Sequence, residues 1–295
     1  MQQPLSPTSI KMIAIDIDGT LLDPHKHITP RTRAAIEQAR EEGIIVTLAT
    51  ARRYVNTGYI ASELGIDLPI IMYDGALILE HPGGRIFHTQ KLQAEIAHQA
   101  LEILVRHKVQ PIIHHYHEEQ EETWTGPEEF DTTWIAPYLE IAQGLRRLHY
   151  QHCCLGQPDP LRVVAFTSEE IIQRMLPEIS ALECAWNTTP LGSYRTAELS
   201  IMHQHCSKAS GVQALASYLA IPLSQVMAIG DGNNDIEMLQ SVGWGVAMGQ
   251  ARAKVREAAK AITASNAEDG VAEAIERYAL GSDLQATSNS RKRAT

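Results

Sequence analysis

Cysteine is scarce in this sequence, with four in 295 residues: Cys153, Cys154, Cys184 and Cys206. No two stand in C-x-x-C spacing, which argues against a thiolate zinc site, and such sparse use suits a reducing compartment. A chain of this length buries enough apolar surface to do without disulfide staples. Basic residues are also outnumbered, 25 Lys and Arg against 35 Asp and Glu, for a formal net charge of −10. A chain without a basic surplus is not expected to bind nucleic acid or anionic membranes nonspecifically. No apolar run approaches the roughly 18 residues that a membrane span needs. Residues 1–9 lack the basic-then-apolar order of a secretory signal. These absences describe a cytoplasmic protein with no nucleic-acid or membrane partner, and they leave its oligomeric state open. Internal repeats are absent too. Residues 1–9 and 281–295 are polar, and the second segment contains Arg291-Lys292-Arg293. Both read as disordered tails, the latter alternatively as a leftover of expression.

What is present is an alternation of buried runs and helices. Ile10 to Ile17 is nearly continuous apolar sequence, as in a strand covered on both faces of a parallel sheet. Thr29 then caps a helix with Pro30 at its first position and Gly43 past its end. Ile44–Ala49 reads as a strand, Arg53–Leu64 as a helix and Pro69–Tyr73 as a strand, giving a β-α-β-α-β order with right-handed crossovers. The character then changes. Ala76–His88 reads as a hairpin turning at Pro82-Gly83-Gly84. A helix over Gln93–His107, strands over Val109–Tyr116 and Leu161–Thr167, and a helix capped by Ser168 follow. Short strands near Glu183–Trp186 and Tyr194–Glu198 complete this section. The acidic stretch Glu118–Pro127 reads as a surface loop. After it the first pattern resumes, with helices from Lys208, Asn234, Arg252 and Asp269 and strands over Gln225–Ile229 and Gly243–Ala247. The fold class is α/β: a doubly wound, Rossmann-like parallel sheet over 10–82 and 198–280, interrupted by an inserted α+β domain over 83–197.

The chemistry gathers at strand ends. Asp16-Ile17-Asp18-Gly19-Thr20 closes the first strand, and ligands of open parallel sheets bind beyond the carboxyl ends of the strands. Two carboxylates at i and i+2 share a side, and burying them together asks for a cation or a shared proton. The plain alternative is a strand-ending turn of good turn formers. A calcium loop fails here, because positions 6 and 12 would be Leu21 and His27. Gly230-Asp231-Gly232-Asn233-Asn234-Asp235 also leaves a strand and opens a helix. A calcium loop fails there at Ile236 and Val242, and a dinucleotide fingerprint fails at Asp235, where the third glycine belongs. What remains is a second acidic half for the same metal site. Thr47 to Arg52 ends another strand, and its hydroxyl and backbone N–H groups could hold phosphate oxygens. Lys208 could neutralise phosphate, although taken alone it reads as a solvated surface lysine.

In the order Asp-x-Asp, Thr, Lys, Gly-Asp-x-x-Asn-Asp, the four pieces together resemble the haloacid dehalogenase superfamily of phosphotransferases. Within it the chain is similar to the Cof-type phosphatases, whose α/β cap lies between the Thr and Lys motifs. The resemblance covers about residues 10–279. Gly245-Val246-Ala247-Met248-Gly249 and Asn266-Ala267-Glu268-Asp269-Gly270-Val271 add to it. It implies that Asp16 is the nucleophile and that Asp18 is the acid and then the base. It places Thr50, Ala51, Lys208 and Asn234 at the phosphate, and Mg2+ on Asp16, Asp231 and Asp18 through its carbonyl. Asp235, Arg52, Asp74 and Gly75 would surround them. The implied partner is a small phosphorylated metabolite, a sugar phosphate or phosphorylated cofactor. The alternatives are a phosphomutase and a non-catalytic sensor of a phosphometabolite.

Three positions depart from the family pattern: Ala51 and Ala209 stand for Gly, and Asp74 for Asn. An aspartate beside phosphate is repelled, so Asp74 should pair with a cation such as Arg52, accept from substrate hydroxyls, be protonated, or point away. Other candidates carry less weight. His114, His115 and His117 could bind a metal but read as surface residues. His203, His205 and Cys206 read as a rim near Lys208, and Trp124 and Trp134 as packing residues or stacking surfaces.

Overall fold

Apolar runs without a polar interruption form the inside of a parallel sheet in the computed structural model, which describes residues 9–117, 120–142, 144–190 and 195–281. Nearly all of both expected tails lies outside the described residues. In chain order the elements begin with β1 (Met12–Ile15), α1 (Pro30–Glu41), β2 (Ile45–Leu48), α2 (Gly58–Glu63), β3 (Pro69–Met72) and β4 (Leu77–Glu80). Next come β5 (Ile86–Thr89), α3 (Ala94–Arg106), β6 (Pro111–His117), β7 (Gln120–Thr125), α4 (Ala136–Leu139) and β8 (Leu145–Arg147). Then follow β9 (Arg162–Thr167), α5 (Glu169–Ile179), β10 (Cys184–Thr189), β11 (Ala197–His203), α6 (Lys208–Tyr218) and β12 (Val226–Gly230). The last are α7 (Ile236–Ser241), β13 (Trp244–Ala247), α8 (Ala253–Ala258), β14 (Ala261–Ile262) and α9 (Gly270–Ala274).

The chain divides into two compact units: 1–52, 56–85 and 208–295 form the first, and 53–55 with 86–207 the second. This differs from boundaries at 83 and 197. Residues 198–207 go with the second unit because β11 pairs with β9 on one side and β10 on the other.

The first unit holds an all-parallel sheet ordered β14-β13-β12-β1-β2. All four residues of β1 are buried, as a strand covered on both faces must be. The chain goes from β1 to β2 on one side and returns much later to β12 on the other, which makes the end of β1 a topological switch point. Local signals act as expected: Thr29 accepts from the Thr32 N–H, with Pro30 at the first helical position. The expected 53–64 helix is shorter, since its first turn is 3-10 and Gly58–Glu63 alone is α-helical. β3 joins the parallel sheet through one bridge, Ala49 to Ile71, and otherwise pairs antiparallel with β4. The turn after β4 closes where expected, with the Gly84 N–H on Glu80 O at 2.9 Å.

The second unit is a six-stranded sheet ordered β10-β11-β9-β6-β7-β8. Ile113, Val163, Ala165, Leu199 and Ile201 face a core with α3 and α5, and Ile112, Val164 and Phe166 face Ile135 and Tyr138. Both faces are therefore covered. The acidic stretch expected as a loop is strand β7 from Gln120 onward, with Thr123, Trp124 and Thr125 buried. Its pairing with β6 overrides its composition. Glu118 and Tyr194 lie outside the described residues.

Candidate active site

Ile15 pairs with Ile229, so Asp16 and Asp231 emerge from adjacent strands at the same edge. The Asp16 N–H donates to Ile229 O at 3.0 Å. Past Asp16 the chain winds into a wide turn, with Leu21 N–H on Asp16 O and Leu22 N–H on Ile17 O, both 3.1 Å. Gly19 makes that turn possible. Its φ is +82°, and a Cβ there would lie 2.4 Å from Asp231 Oδ2.

Lys208, the first residue of α6, is 1% exposed rather than solvated. Its Nζ donates to Asp16 Oδ1 at 2.6 Å and to Asp235 Oδ1 at 2.7 Å. Burial alone would lower its pKa. The charges of Asp16, Asp235 and Asp74 outweigh that and raise it above the usual lysine range. Asp235 Oδ2 accepts from the backbone N–H groups of Asp231 (3.0 Å) and Gly232 (2.8 Å), so this carboxylate braces both the lysine and its own loop. Asp231 Oδ1 accepts from Thr20 Oγ1 at 2.8 Å. Burial, then the Asp235 charge, pushes the Asp231 carboxyl up to about 6. Burial also raises Asp16 well above the ordinary range, against the pull of Lys208.

Carboxylate oxygens of Asp16, Asp231 and Asp235 lie within 4.8 Å of one another, the one such cluster among the described residues. Crowded, buried, all-oxygen donors whose pKa values are driven upward suit a hard divalent cation. The Asp18 carboxylate is not one of the three and is paired with cations. Arg52 Nε and Nη2 fork onto Asp18 Oδ2 and Oδ1 at 2.6 and 2.8 Å, and Lys26 Nζ adds a contact at 3.1 Å. Burial would raise the Asp18 pKa, but the hydrogen bonds and charge of Arg52, then Lys26, lower it.

Thr50 is buried, but its N–H donates to Ile71 O (2.9 Å) and its Oγ1 accepts from the Arg52 N–H (3.1 Å). These two N–H groups are thus occupied, contrary to the expectation of free donors, and the hydroxyl proton remains to be given. Ala51 lies between them, and Gly75 is buried in the turn after β3. Asp74 is buried too and does not pair with Arg52, whose guanidinium is committed to Asp18. Asp74 Oδ1 instead accepts from Asn234 Nδ2 at 2.8 Å.

Sequence reasoning missed several supports. Thr20 lay inside the first motif without a role. Gln250 Nε2 donates to Gly19 O (2.5 Å), its Oε1 accepts from the Asn266 N–H (3.1 Å), and Asn266 Nδ2 donates to Leu22 O (2.8 Å). Asn266 and Gln250 thereby clamp the turn that carries Asp18. Nothing in the sequence marked Lys26 or Gln250.

In the second unit His114 and His115 are buried, not superficial. Arg162 Nε donates to His114 Nδ1 at 3.0 Å, which puts the ring proton on Nε2, 2.7 Å from Tyr138 Oη. Both nitrogens are taken, so this ring has none left for a metal. His115 packs against Trp124 with ring centroids 4.0 Å apart and the rings tilted by 35°, while Trp134 is exposed. Nothing is described of the His117 side chain. His203 Nδ1 accepts from the His205 N–H at 3.2 Å, and Cys206 is buried.

The family model for haloacid dehalogenase-like hydrolases matches residues 13–275. A 5-amino-6-(5-phospho-D-ribitylamino)uracil phosphatase of Bacillus subtilis is 28% identical over 279 residues, covering 90% of this chain and 97% of its own. An HMP-PP phosphatase of Citrobacter koseri is 30% identical over 257 residues, covering 82% and 85%. Among solved structures, a haloacid dehalogenase subclass IIB sugar phosphatase superposes with a TM-score of 0.75 at 24% identity, over 91% of this chain and 98% of its own. Among the described residues no helix is long and apolar enough to cross a membrane.

Proposed function

We propose that this chain, which belongs to the haloacid dehalogenase-like hydrolase family, is a Mg2+-dependent phosphatase that works through a phosphorylated Asp16. It is a Cof-type phosphoric monoester hydrolase, and its relatives' names point to small phosphorylated metabolites as the substrate class. A sugar phosphate or a phosphorylated cofactor precursor fits that class. The observation that carries the reading is Lys208, buried between Asp16 and Asp235 with Asp231 alongside.

Asp16 attacks phosphorus, and the ester oxygen leaves with a proton from Asp18. Water then attacks the phosphoryl group on Asp16 and gives a proton to Asp18, which releases phosphate and restores both residues. Lys208 and the Thr50 hydroxyl hold phosphoryl oxygens, and Lys208 keeps Asp16 aimed and opposes the burial that favours its protonated form. Asp18, whose pKa Arg52 and Lys26 hold down, must leave the Arg52 fork and take up a proton from solvent before it meets the leaving oxygen. Mg2+ would be held by Asp16, Asp231 and the Asp18 carbonyl, and would supply positive charge that screens nucleophile from phosphate.

The test is phosphate release from a panel of phosphorylated metabolites without a bisphosphate activator. Asp16→Asn should lower turnover more than about a thousandfold, the scale expected for loss of a covalent nucleophile. Near wild-type turnover by that variant would end the assignment, and transfer without phosphate release would indicate a mutase.

A further inference from the structure

The turn after β3 is wound against the usual backbone preference. Tyr73, Asp74 and Gly75 have φ of 52°, 53° and 98°. Left-handed backbone is disfavoured for any residue with a Cβ, most of all a bulky one, and such strain at a site raises the question of use. Two backbone bonds hold it: Tyr73 N–H to Arg52 O at 3.2 Å, and Asp74 N–H to Thr50 O at 3.0 Å. Tyr73 and Asp74 are 0% and 2% exposed. What the turn delivers is the Asp74 carboxylate to the Asn234 amide, at 2.8 Å. It also brings a third negative charge to bear on Lys208, after Asp16 and Asp235.

An asparagine at 74 could accept the same hydrogen bond through its carbonyl oxygen. The bond therefore does not explain the aspartate, and the charge is the difference. We infer that Asp74 is a positioning residue with an electrostatic effect: it orients the Asn234 amide, and its charge tilts the site toward cations and away from anions. The inference rests on the phosphatase reading above. Compared with an amide at this position, Asp74 should tighten Mg2+ and loosen inorganic phosphate, so that product leaves more readily. Even with screening by salt, a unit charge within about 10 Å of a divalent ion or a phosphate dianion at an effective dielectric near 20 changes each constant by at least about tenfold.

The experiment uses the full chain and two probes. MgCl2 is titrated into metal-free protein by calorimetry, and inorganic phosphate is titrated as an inhibitor at saturating MgCl2. Asp74→Asn keeps an acceptor for Asn234 and removes the charge. It should raise the Mg2+ dissociation constant at least about tenfold and lower the phosphate inhibition constant at least about tenfold. Asn234→Ala leaves the charge in place, so it should weaken phosphate without weakening Mg2+. Opposite movement of the two constants is something a merely structural role would not produce. Constants within twofold of wild type in Asp74→Asn, or moving in the same direction, would overturn the inference. Should that variant fail to fold, Asp74→Gly suits the left-handed turn and carries the Mg2+ prediction alone, since it also removes the acceptor for Asn234. If the wild type releases phosphate from no ester, the phosphatase reading fails, while the Mg2+ titration still reports on the charge.

Discussion

The two units bury ionisable groups in different places and of opposite sign. In the first, Asp16, Asp74 and Asp235 surround Lys208 where strands end. In the second, Arg53 and Arg162 are buried with His114 on one face of a sheet. Arg53 donates to Thr123 and lies 5.5 Å over the Tyr138 ring. Strand ends bring side chains from distant sequence to one point, where crowded acids invite a cation. A sheet face spaces its residues two apart and holds each in a fixed lattice of neighbours. The first arrangement is built for exchange with a ligand, the second for permanence.

The largest expected effect removes the centre of the acidic group. Lys208→Met leaves Asp16 and Asp235 buried without their ammonium and should cost about 3–5 kcal/mol of stability at neutral pH. Urea denaturation of metal-free protein measures it. A loss below about 1 kcal/mol would mean that water or ions already screen this site, and the contrast between the units would fall.

The next effect is a pH dependence of the first unit. Asp231 titrates from an ordinary 3.8 unfolded to about 6 folded. The folded state therefore holds its proton more tightly, and stability present at low pH is lost as pH rises from about 4 to about 6. Allowing for solvent screening, the loss is about 2 kcal/mol. Asp16 is shifted in the same direction. Asp18, lowered by Arg52, acts only below about 4 and with the opposite sign. Saturating MgCl2 should cancel the decline, because it binds the folded carboxylates. Melting temperatures from pH 4 to 7, with and without MgCl2, check this. Parallel curves would contradict it.

The smallest effect belongs to the second unit and has the opposite sense. Burial, then Arg162 and Arg53, hold the His114 pKa well below 6.5. The unfolded imidazole takes a proton below about 6.5 and the folded one resists, so stability falls as pH drops through that value. His114→Gln should remove the decline, read as hydrogen exchange of β6 and β9 peptides at pH 7 and pH 5. Equal acid sensitivity in wild type and variant would show that another group is responsible.

These contrasts explain what could be read from the sequence. Asp16 and Asp231 were legible as neighbours because chain direction places them, each just after a buried run, whereas Lys208 alone read as a surface lysine and only the family resemblance drew it in. The parallel sheet was legible for the same reason, from runs such as Met12–Ile15. Arg52 on Asp18, and the Gln250–Asn266 clamp on Gly19 and Leu22, join residues whose separation carries no periodic signal. The histidines misled because a polar pair after Ile112 and Ile113 resembles the end of burial. Tyr138 and Trp124 cover the two faces instead, and hydrogen bonding and ring packing make burial tolerable. The acidic stretch misled similarly, since β7 owes its place to β6 rather than to its own composition.

The position of β1 has a consequence for the order of assembly during synthesis. One of its edges is closed by β2, made soon afterward, and the other waits for β12. About 210 residues separate the end of β1 from the start of β12. At ordinary elongation rates of about 5–20 residues per second, that edge stays open for about 10–40 s. An apolar strand with an open edge is a template for pairing with a neighbouring chain. Nearly all of the second unit is synthesised within that interval as one continuous stretch, so it can fold while the core still lacks its other half.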